Sequence, residues 1–435
     1  MGQTALEQQV DNPLRVLIAA DNASARFGGE SILPLHYFRL LLARGVDVRL
    51  LVHDRNRPEL TKLFPEDGDR ITYIPDTWLH RLVYNMGKWL PRRVHHFSFG
   101  MMTNLLTQWM QKRIAKRVVK EFKIDVVHQP MPVSPKQPSM VYGVGAPVLI
   151  GPMNGGMSYP PGFKGENGFE RVFMKVGRFF ARAANVLMPG KRRAALLMVA
   201  NKRTWDALPG GLCKKVMDLP ENAVMVDQWE AINWSKREIE DGLKLVFLGR
   251  LEALKAVDAL LEGIARLDDE GVRLDVIGDG PERSRLEALT KRLGLEDRVV
   301  FHGFVPQGEC PDMMMGSDAL VLPSIHECGG AVVLEAMCMG LPTVVADWGG
   351  PADYVTPECG MLVSVESREA LVQGLADAIQ HLSESRELRE KLGKAGRARV
   401  LEYFNWERKI DQMIEIYLEH CDEKKVVGTV EEIGV

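Results

Sequence analysis

Residues 15–43 read RVLIAADNASARFGGESILPLHYFRLLLA, and this stretch contains the unit that repeats along the chain. The apolar run from Arg15 to Ala20 is followed by a polar loop with Gly28 and Gly29, and the segment from Ile32 to Ala43 has apolar residues at helical spacing. The stretch therefore predicts a strand, a glycine loop and a helix in that order.

Similar units recur in two series. The further candidate strands of the first series are 46–52, 125–128, 147–150 and 196–200, and those of the second are 243–248, 273–278, 299–301, 319–323 and 343–346. Strands that alternate with helices predict parallel sheets covered on both faces, so the fold class is α/β. We predict an N-terminal Rossmann-like domain over 1–225, completed by a C-terminal helix over 406–421, and a second such domain over 240–405.

The overall composition fits this division. The 435 residues, of which 46% are apolar, suffice for two domains of about 200 residues each. The polar N-terminus and the lack of an apolar run of about 18 residues predict a cytoplasmic protein. The six cysteines are scattered without a CxxC pair, so neither a disulfide nor a metal is predicted.

The net charge of −3 hides a basic first half. The stretch 81–123 carries ten basic side chains against the single acid Glu121, and 164–203 carries ten against Glu166 and Glu170, with tryptophan and phenylalanine interleaved. This pattern predicts peripheral attachment to an anionic membrane surface. A solvated basic face or a subunit interface is the alternative, and nucleic acid is disfavoured because no recognition motif accompanies the charge.

Several candidate ligand-binding residues directly follow predicted strands, where the loops of a parallel sheet form binding sites. Gly28 and Gly29 follow the first strand, and their alternative is a flexible turn. Gly249 and Arg250 follow the strand at 243–248, with Lys255 five positions later, and these cations could neutralise a diphosphate or be solvated surface charges. Gly278 opens a GxG bend that lacks the third glycine of a dinucleotide fingerprint, which disfavours NAD.

The strongest motif is PSIHECGGAVVLEAM, residues 323–337. Seven residues separate Glu327 from Glu335, which falls in the first turns of a predicted helix. A carboxylate there can accept hydrogen bonds from ribose hydroxyls, and the Gly329 and Gly330 amides can meet phosphate or sugar. The alternative, acids that complement the helix dipole, leaves the glycines unexplained.

Two further features have simpler alternatives. His128 ends a predicted strand and would point into the ligand site, although a lone histidine is more often structural. Asp67-Gly68-Asp69 has the form of a metal-binding DxD, but its polar surroundings favour a turn.

At these residues the chain resembles glycosyltransferase family 4, whose members are retaining enzymes with the GT-B fold, two Rossmann-like domains facing each other across a cleft. The resemblance rests on Glu327 through Met337, FLGR at 247–250 with Lys255, IGDGP at 277–281, HGFV at 302–305 and GLPTV at 340–344. In the first half it is thinner and includes GPMNGG at 151–156.

The resemblance implies a role for each matched position. Arg250 and Lys255 would hold the donor diphosphate, Glu335 the ribose, and Glu327 the donor sugar. The amides of Gly329, Gly330 and Ala331 would assist Glu327, Phe304 and Val305 would frame the base, and His128 would lie near the reacting sugar. Where many relatives have an aromatic residue two positions after the first glutamate, this chain has Gly329.

The predicted reaction moves a sugar from a UDP- or GDP-linked donor to a glycan or lipid-linked acceptor, with retention at the anomeric carbon and without a metal. Two rivals are a nucleotide-sugar epimerase on the same scaffold and a catalytically silent partner. The complete set of Arg250, Lys255, Glu327 and Glu335 disfavours the silent protein, and the spacing of the two glutamates disfavours the epimerase.

Overall fold

The structure is a computed structural model that describes residues 13–26, 29–86, 99–163, 184–210, 215–235, 242–306 and 308–431. The described chain divides into two compact units. Unit 1 comprises the described residues of 1–156, 169–221 and 410–435, and unit 2 those of 157–168 and 222–409.

Unit 1 is built on a seven-stranded parallel sheet with the order β3-β2-β1-β4-β5-β6-β7. Its strands are β1 (Arg15–Ala19), β2 (Asp47–His53), β3 (Ile71–Ile74), β4 (Val126–Gln129), β5 (Val148–Met153), β6 (Leu196–Val199) and β7 (Val216–Asp218). Strands β4, β5 and β6 are buried along their whole length, as a sheet with both faces covered requires.

The helices of unit 1 connect these strands. Those with both ends in the described residues are α1 (Ile32–Ala43), α2 (Arg57–Leu63), α3 (Trp78–Met86), α4 (Met101–Glu121) and α5 (Lys202–Asp206). Helix α1 buries an apolar face that includes Tyr37 and Phe38. The helix ends at Ala43, and Gly45, which follows the C-cap Arg44, has φ +73° and so supplies the left-handed residue that often closes a helix.

Unit 2 is built on a six-stranded parallel sheet with the order β10-β9-β8-β11-β12-β13. Its strands are β8 (Leu243–Leu248), β9 (Val272–Ile277), β10 (Val299–Gly303), β11 (Ala319–Leu322), β12 (Thr343–Ala346) and β13 (Met361–Val363). The helices are α6 (Val257–Ile264), α7 (Arg283–Arg292), α8 (Cys310–Met315), α9 (Ala331–Met339), α10 (Gly350–Tyr354), α11 (Arg368–Glu384) and α12 (Arg386–Tyr403). The last helix, α13 (Trp406–Glu431), has its first four residues in unit 2 and the rest in unit 1.

The two predicted series of parallel strands are both present, which confirms the α/β fold class. Three strands were not predicted, namely β3, β7 and β13. Each has only three or four residues, and each lies at a sheet edge, where β7 and β13 are partly exposed. Such short runs lack the continuous apolar pattern that marks the central strands.

No helix in the described part of the chain is both long enough and apolar enough to cross a membrane.

Candidate functional site

The loops at the carboxyl edge of the unit 2 sheet meet through glycine backbones. The amide of Gly249, after β8, donates to the carbonyl of Ile277 at 2.9 Å. Gly278, after β9, has φ +135°, and a Cβ there would overlap the Gly249 carbonyl oxygen. Both its conformation and this close approach require glycine at Gly278. The two predicted loops therefore form one surface.

The two candidate cations have different surroundings. Arg250 is 69% exposed, and its Nε lies 3.1 Å from the Glu252 carboxylate. Lys255 ends a short 3₁₀ turn and forms an ion pair with Glu327, and their side chains are only 20% and 18% exposed. The residue predicted to hold the diphosphate and the residue predicted to hold the donor sugar thus form an ion pair with each other.

Glycines shape the loop that carries Glu327. Gly330 has φ +87° and is the N-cap of α9, and its carbonyl accepts from Val333 N at 3.0 Å. Ala331 begins the helix and is exposed. A Cβ at Gly329 would lie 2.6 Å from Asn222 Nδ2, which donates to the Tyr354 hydroxyl at 2.8 Å. Asn222 therefore fills the space that a larger side chain at Gly329 would need.

Glu335 lies in the second turn of α9 and is partly buried. Desolvation raises the pKa of its carboxyl from 4.5 to about 7. Burial, and then the charge of Glu335, raises the pKa of the Cys310 thiol. A desolvated carboxylate is a strong hydrogen-bond acceptor for a ligand hydroxyl.

The two residues predicted to frame the base follow β10. Phe304 is 81% exposed, whereas Val305 packs against the apolar core of unit 2. An aromatic side chain this exposed at the carboxyl edge of a sheet is available for stacking on a planar ligand.

Gly28 and Gly29 follow β1 in the sequence. Gly28 lies outside the described residues. Gly29 opens a 3₁₀ turn before α1 and has open space where a Cβ would be.

The expectation that His128 points into a ligand site is contradicted. Its ring is fully buried, with Nε2 2.6 Å from the Gly151 carbonyl and Nδ1 2.7 Å from the Tyr417 hydroxyl. Tyr37 packs edge-on against it at 4.7 Å. Because both ring nitrogens are engaged inside the unit 1 core, the simpler structural alternative describes this histidine.

The segment Asp67-Gly68-Asp69 forms a turn as predicted. Gly68–Arg70 is a short 3₁₀ helix, and Arg70 Nε lies 3.4 Å from Asp67. Among the described residues, no group of three or more histidine, cysteine, aspartate or glutamate side chains is arranged to hold a metal ion.

Sequence reasoning missed a polar cluster in unit 1. Asp21, directly after β1, accepts from Asn104 Nδ2 at 2.7 Å, and desolvation raises its pKa to about 6. Asn104 Oδ1 accepts in turn from Gln108 at 2.8 Å and from Gln137 at 3.0 Å. The signal lay in α4, because Asn104, Thr107, Gln108 and Gln111 recur at helical spacing and so form one polar face.

Several solved structures resemble almost the whole chain. The structure of Anabaena HepE in complex with UDP has a TM-score of 0.65 at 16% identity. The similarity covers 93% of this chain and 100% of the HepE chain. The lipopolysaccharide outer core galactosyltransferase WaaB has a TM-score of 0.62 at 16% identity, covering 92% of this chain and 99% of that one. The fold therefore defines a GT-B protein, as predicted.

A family match covers part of the second half. Residues 229–399 match the profile described as Glycosyl transferases group 1. The match includes Arg250, Lys255, Glu327 and Glu335. The resemblance to a glycosyltransferase that the sequence indicates is therefore confirmed over these residues.

Curated relatives match the chain over parts of their length. The 2-deoxystreptamine glucosyltransferase of Streptomyces kanamyceticus is 35% identical over 176 residues, 38% of this chain and 46% of that protein. The alpha-D-kanosaminyltransferase of the same organism is 29% identical over 261 residues, 58% of this chain and 66% of that protein. The lipopolysaccharide core biosynthesis glycosyltransferase LpsD of Rhizobium meliloti (strain 1021) is 33% identical over 177 residues, 41% and 50% respectively. The chain thus spans about half to two thirds of these relatives.

Proposed function

We propose that this protein is a retaining hexosyltransferase of family 4 that transfers a sugar from a nucleotide-diphosphate donor to a glycan or lipid-linked acceptor in cell-surface polysaccharide or glycolipid synthesis. The observation that carries the proposal is the clustering of Lys255, Glu327, Gly330 and Glu335 around the start of α9, in the part of the chain that matches group 1. HepE, a structural relative, is described in complex with UDP-glucose, which supports a UDP-sugar donor ahead of a GDP-sugar.

In the proposed mechanism, Arg250 and Lys255 neutralise the donor diphosphate, and Glu335 accepts hydrogen bonds from the ribose. Lys255 forms an ion pair with Glu327. The diphosphate therefore competes for the ammonium group, and Glu327 becomes free to accept hydrogen bonds from the donor sugar. Negative charge on the leaving diphosphate grows in the transition state, so both cations stabilise that state more than the ground state.

The bond changes are those of a retaining transfer. The acceptor oxygen bonds to the anomeric carbon on the face from which the nucleoside diphosphate departs, and the bond from that carbon to the phosphate oxygen breaks. A donor phosphate oxygen takes the acceptor proton. We propose that no metal takes part, since the two cations supply the charge a divalent ion would bring.

The direct test is to incubate the purified protein with labelled UDP-glucose, UDP-galactose, UDP-N-acetylglucosamine or GDP-mannose and a glycan or lipid extract, with and without excess EDTA. Transfer that survives EDTA supports both the proposed transferase activity and its independence of metal. Loss of transfer that magnesium or manganese restores contradicts metal independence. Epimerised donor without a glycosylated product favours the epimerase, and no reaction with any donor favours a silent partner.

We assign the acceptor to the polar cluster around Asp21. It lies at the carboxyl edge of the unit 1 sheet, and its carboxylate and amides match a polyhydroxylated ligand. We expect Asp21→Asn to raise KM for the acceptor about tenfold or more while KM for the donor changes less than twofold. A change confined to the donor KM would contradict this assignment.

We also propose that α3 and α4 of unit 1 dock on an anionic membrane surface. Helix α3 exposes Trp78 (73%), Leu82 (46%) and Met86 (53%), and α4 exposes Met102 and Trp109. The basic side chains exposed nearby along the same two helices are Arg81, Arg113, Lys116, Arg117 and Lys120. Exposed apolar side chains flanked by cations suit an interface with anionic lipid.

Part of the predicted basic surface differs from expectation. Lys191 is buried, and its ammonium donates to the carbonyls of Ser134 at 3.0 Å and Pro135 at 2.7 Å. Desolvation lowers its pKa to about 7. Lys191 therefore cannot contact lipid. Other predicted members lie outside the described residues, namely Lys88, Arg92, Arg93, Lys164, Arg171, Lys175, Arg178 and Arg182.

Sedimentation with anionic and neutral vesicles tests the docking proposal. We expect binding to anionic vesicles that weakens as salt rises, because each cation near the surface contributes about 1 kcal/mol. Leu82→Glu should weaken it, whereas the control Leu401→Glu, on α12 and 37% exposed, should not. Equal, salt-independent binding to both vesicle types, or equal effects of the two variants, would reject this surface.

A further inference from the structure

The residues that follow the GPMNGG motif belong to unit 2, although they come from the first half of the chain. The indole Nε1 of Trp348, after β12, donates to the Ser158 carbonyl at 2.8 Å. The ring of Tyr159 lies 4.9 Å from the ring of His326. Tyr159 and Phe163 also pack against the apolar core of unit 2. We call residues 157–163 the crossing segment.

The crossing segment is held in one place by its backbone. A Cβ at Gly162 would overlap the Glu366 carbonyl, so only glycine fits against the chain there. The amide of Phe163 donates to the Pro160 carbonyl at 3.0 Å and closes a turn around this contact. The segment is therefore a fixed support for the side chains that it carries.

The loop that carries Glu327 is held from a second direction. The Gly350 amide donates to the Glu327 carbonyl at 2.8 Å. Gly349 has φ +75°, and a Cβ there would overlap that same carbonyl. Trp348 precedes these glycines and donates to Ser158. The crossing segment, the loop after β11 and the loop after β12 therefore each contact the other two.

We propose that Tyr159 and Trp348 are positioning residues for Glu327 and thereby set how the donor sugar is held; this inference rests on the proposed function. Gly329 and Gly330 leave the chain after Glu327 with few intrinsic conformational restraints, so outside supports must define its position. Tyr159 contacts the preceding residue, His326, and Trp348 ties the neighbouring loop to the crossing segment. A displacement of about 1 Å in a ligand-positioning group can lower a rate by about 100-fold.

The test compares Tyr159→Ala with Tyr159→Phe, and Trp348→Phe with wild type, all in the full chain. We expect Tyr159→Ala to lower kcat/KM about 10- to 100-fold with the donor on which the wild type is active, and Tyr159→Phe to restore most of it because the ring is kept. Affinity for UDP, measured by calorimetry, should stay within about twofold, since Arg250, Lys255 and Glu335 are untouched. Trp348→Phe removes the hydrogen bond to Ser158 and shortens the ring that packs against the core of unit 2, and it should lower kcat/KM about three- to tenfold.

An activity-independent measurement uses Cys328, which adjoins Glu327 and is partly exposed. Its alkylation by iodoacetamide, followed by peptide mapping, should be several-fold faster in Tyr159→Ala and in Trp348→Phe. Tyr403→Ala is the control, since Tyr403 is 56% exposed on α12. Should Tyr159→Ala fail to fold, Trp348→Phe carries both measurements.

Three outcomes would overturn the inference. These are unchanged kcat/KM in Tyr159→Ala and Trp348→Phe, an equal fall in kcat/KM in Tyr403→Ala, and a loss of UDP affinity as large as the loss of activity. A wild-type protein that transfers no sugar would instead refute the proposed function, while the Cys328 measurement would still report on the support of the loop.

Discussion

Replacing Lys255 by alanine should affect both turnover and donor-free stability, whereas replacing Arg250 should affect turnover alone. Lys255 is paired with Glu327, and the two side chains are 20% and 18% exposed. Removing one partner of an exposed pair changes stability by about 0.2–1 kcal/mol, and removing one partner of a buried pair by about 3–5 kcal/mol. With this intermediate exposure, we expect Lys255→Ala to lower the free energy of unfolding by about 1–2 kcal/mol.

Arg250→Ala is the matched control. The Arg250 side chain is 69% exposed, so its removal should change the free energy of unfolding by less than about 0.5 kcal/mol. Either substitution should remove about 2–4 kcal/mol of transition-state stabilisation, a fall of about 30- to 1000-fold in kcat/KM.

Urea denaturation without donor and steady-state kinetics measure the two effects. A double variant, Lys255→Met with Glu327→Gln, should be less destabilised than the sum of the single variants, because each single change leaves a charge without its partner. Equal stability losses in Lys255→Ala and Arg250→Ala would refute the pairing. Near wild-type turnover in both would refute the diphosphate role.

Three further predictions concern other residues. Burial raises the pKa of Glu335 from 4.5 to about 7, so its contribution to stability is present at low pH and is lost as the pH rises through about 7. The ionised fraction, which is the form proposed to bind ribose, grows about tenfold from pH 6 to pH 8. The donor KM should therefore fall over this range, and Glu335→Gln should abolish the dependence in a pH series. Gly278→Ala should destabilise by about 3 kcal/mol or more in urea denaturation because of its φ of +135° and the overlap with Gly249, whereas Gly316→Ala, whose nearest neighbour would be at 3.6 Å, should be nearly neutral. Tyr417→Phe should cost about 1–3 kcal/mol of stability because it removes the hydrogen bond between the Tyr417 hydroxyl and Nδ1 of buried His128, and kcat/KM should stay within about twofold. A large loss of turnover at unchanged stability would return His128 to the reaction.

The central strands were predictable because they are buried on both faces and so read as continuous apolar runs. The position of Glu335 on a helix was predictable for a similar reason, since the residues after Gly330 form an apolar run that follows a glycine loop. The spacing of residues along one strand or helix is a local property, which a single sequence carries directly.

Contacts between distant parts of the chain could not be predicted in this way. Tyr417 reaches His128 across 289 positions, and Lys255 reaches Glu327 across 72. No periodicity links such pairs, so the burial of His128 and the neutralisation of Lys255 appear only once the elements are packed. The polar face of α4 was visible, but a polar face normally predicts exposure, and here Gln108 and Gln111 are buried.

The crossing segment has a consequence for exchanging donor specificity between relatives. A chimera cut near residue 225 would take every strand of unit 2 from one parent and leave Tyr159 and Gly162 from the other. Such a graft separates Tyr159 from the His326 with which it was selected, and a residue larger than glycine at position 162 would clash with Glu366. Recombination that transplants residues 157–163 together with 222–409 keeps the structural unit whole, even though the two pieces are separated in the chain.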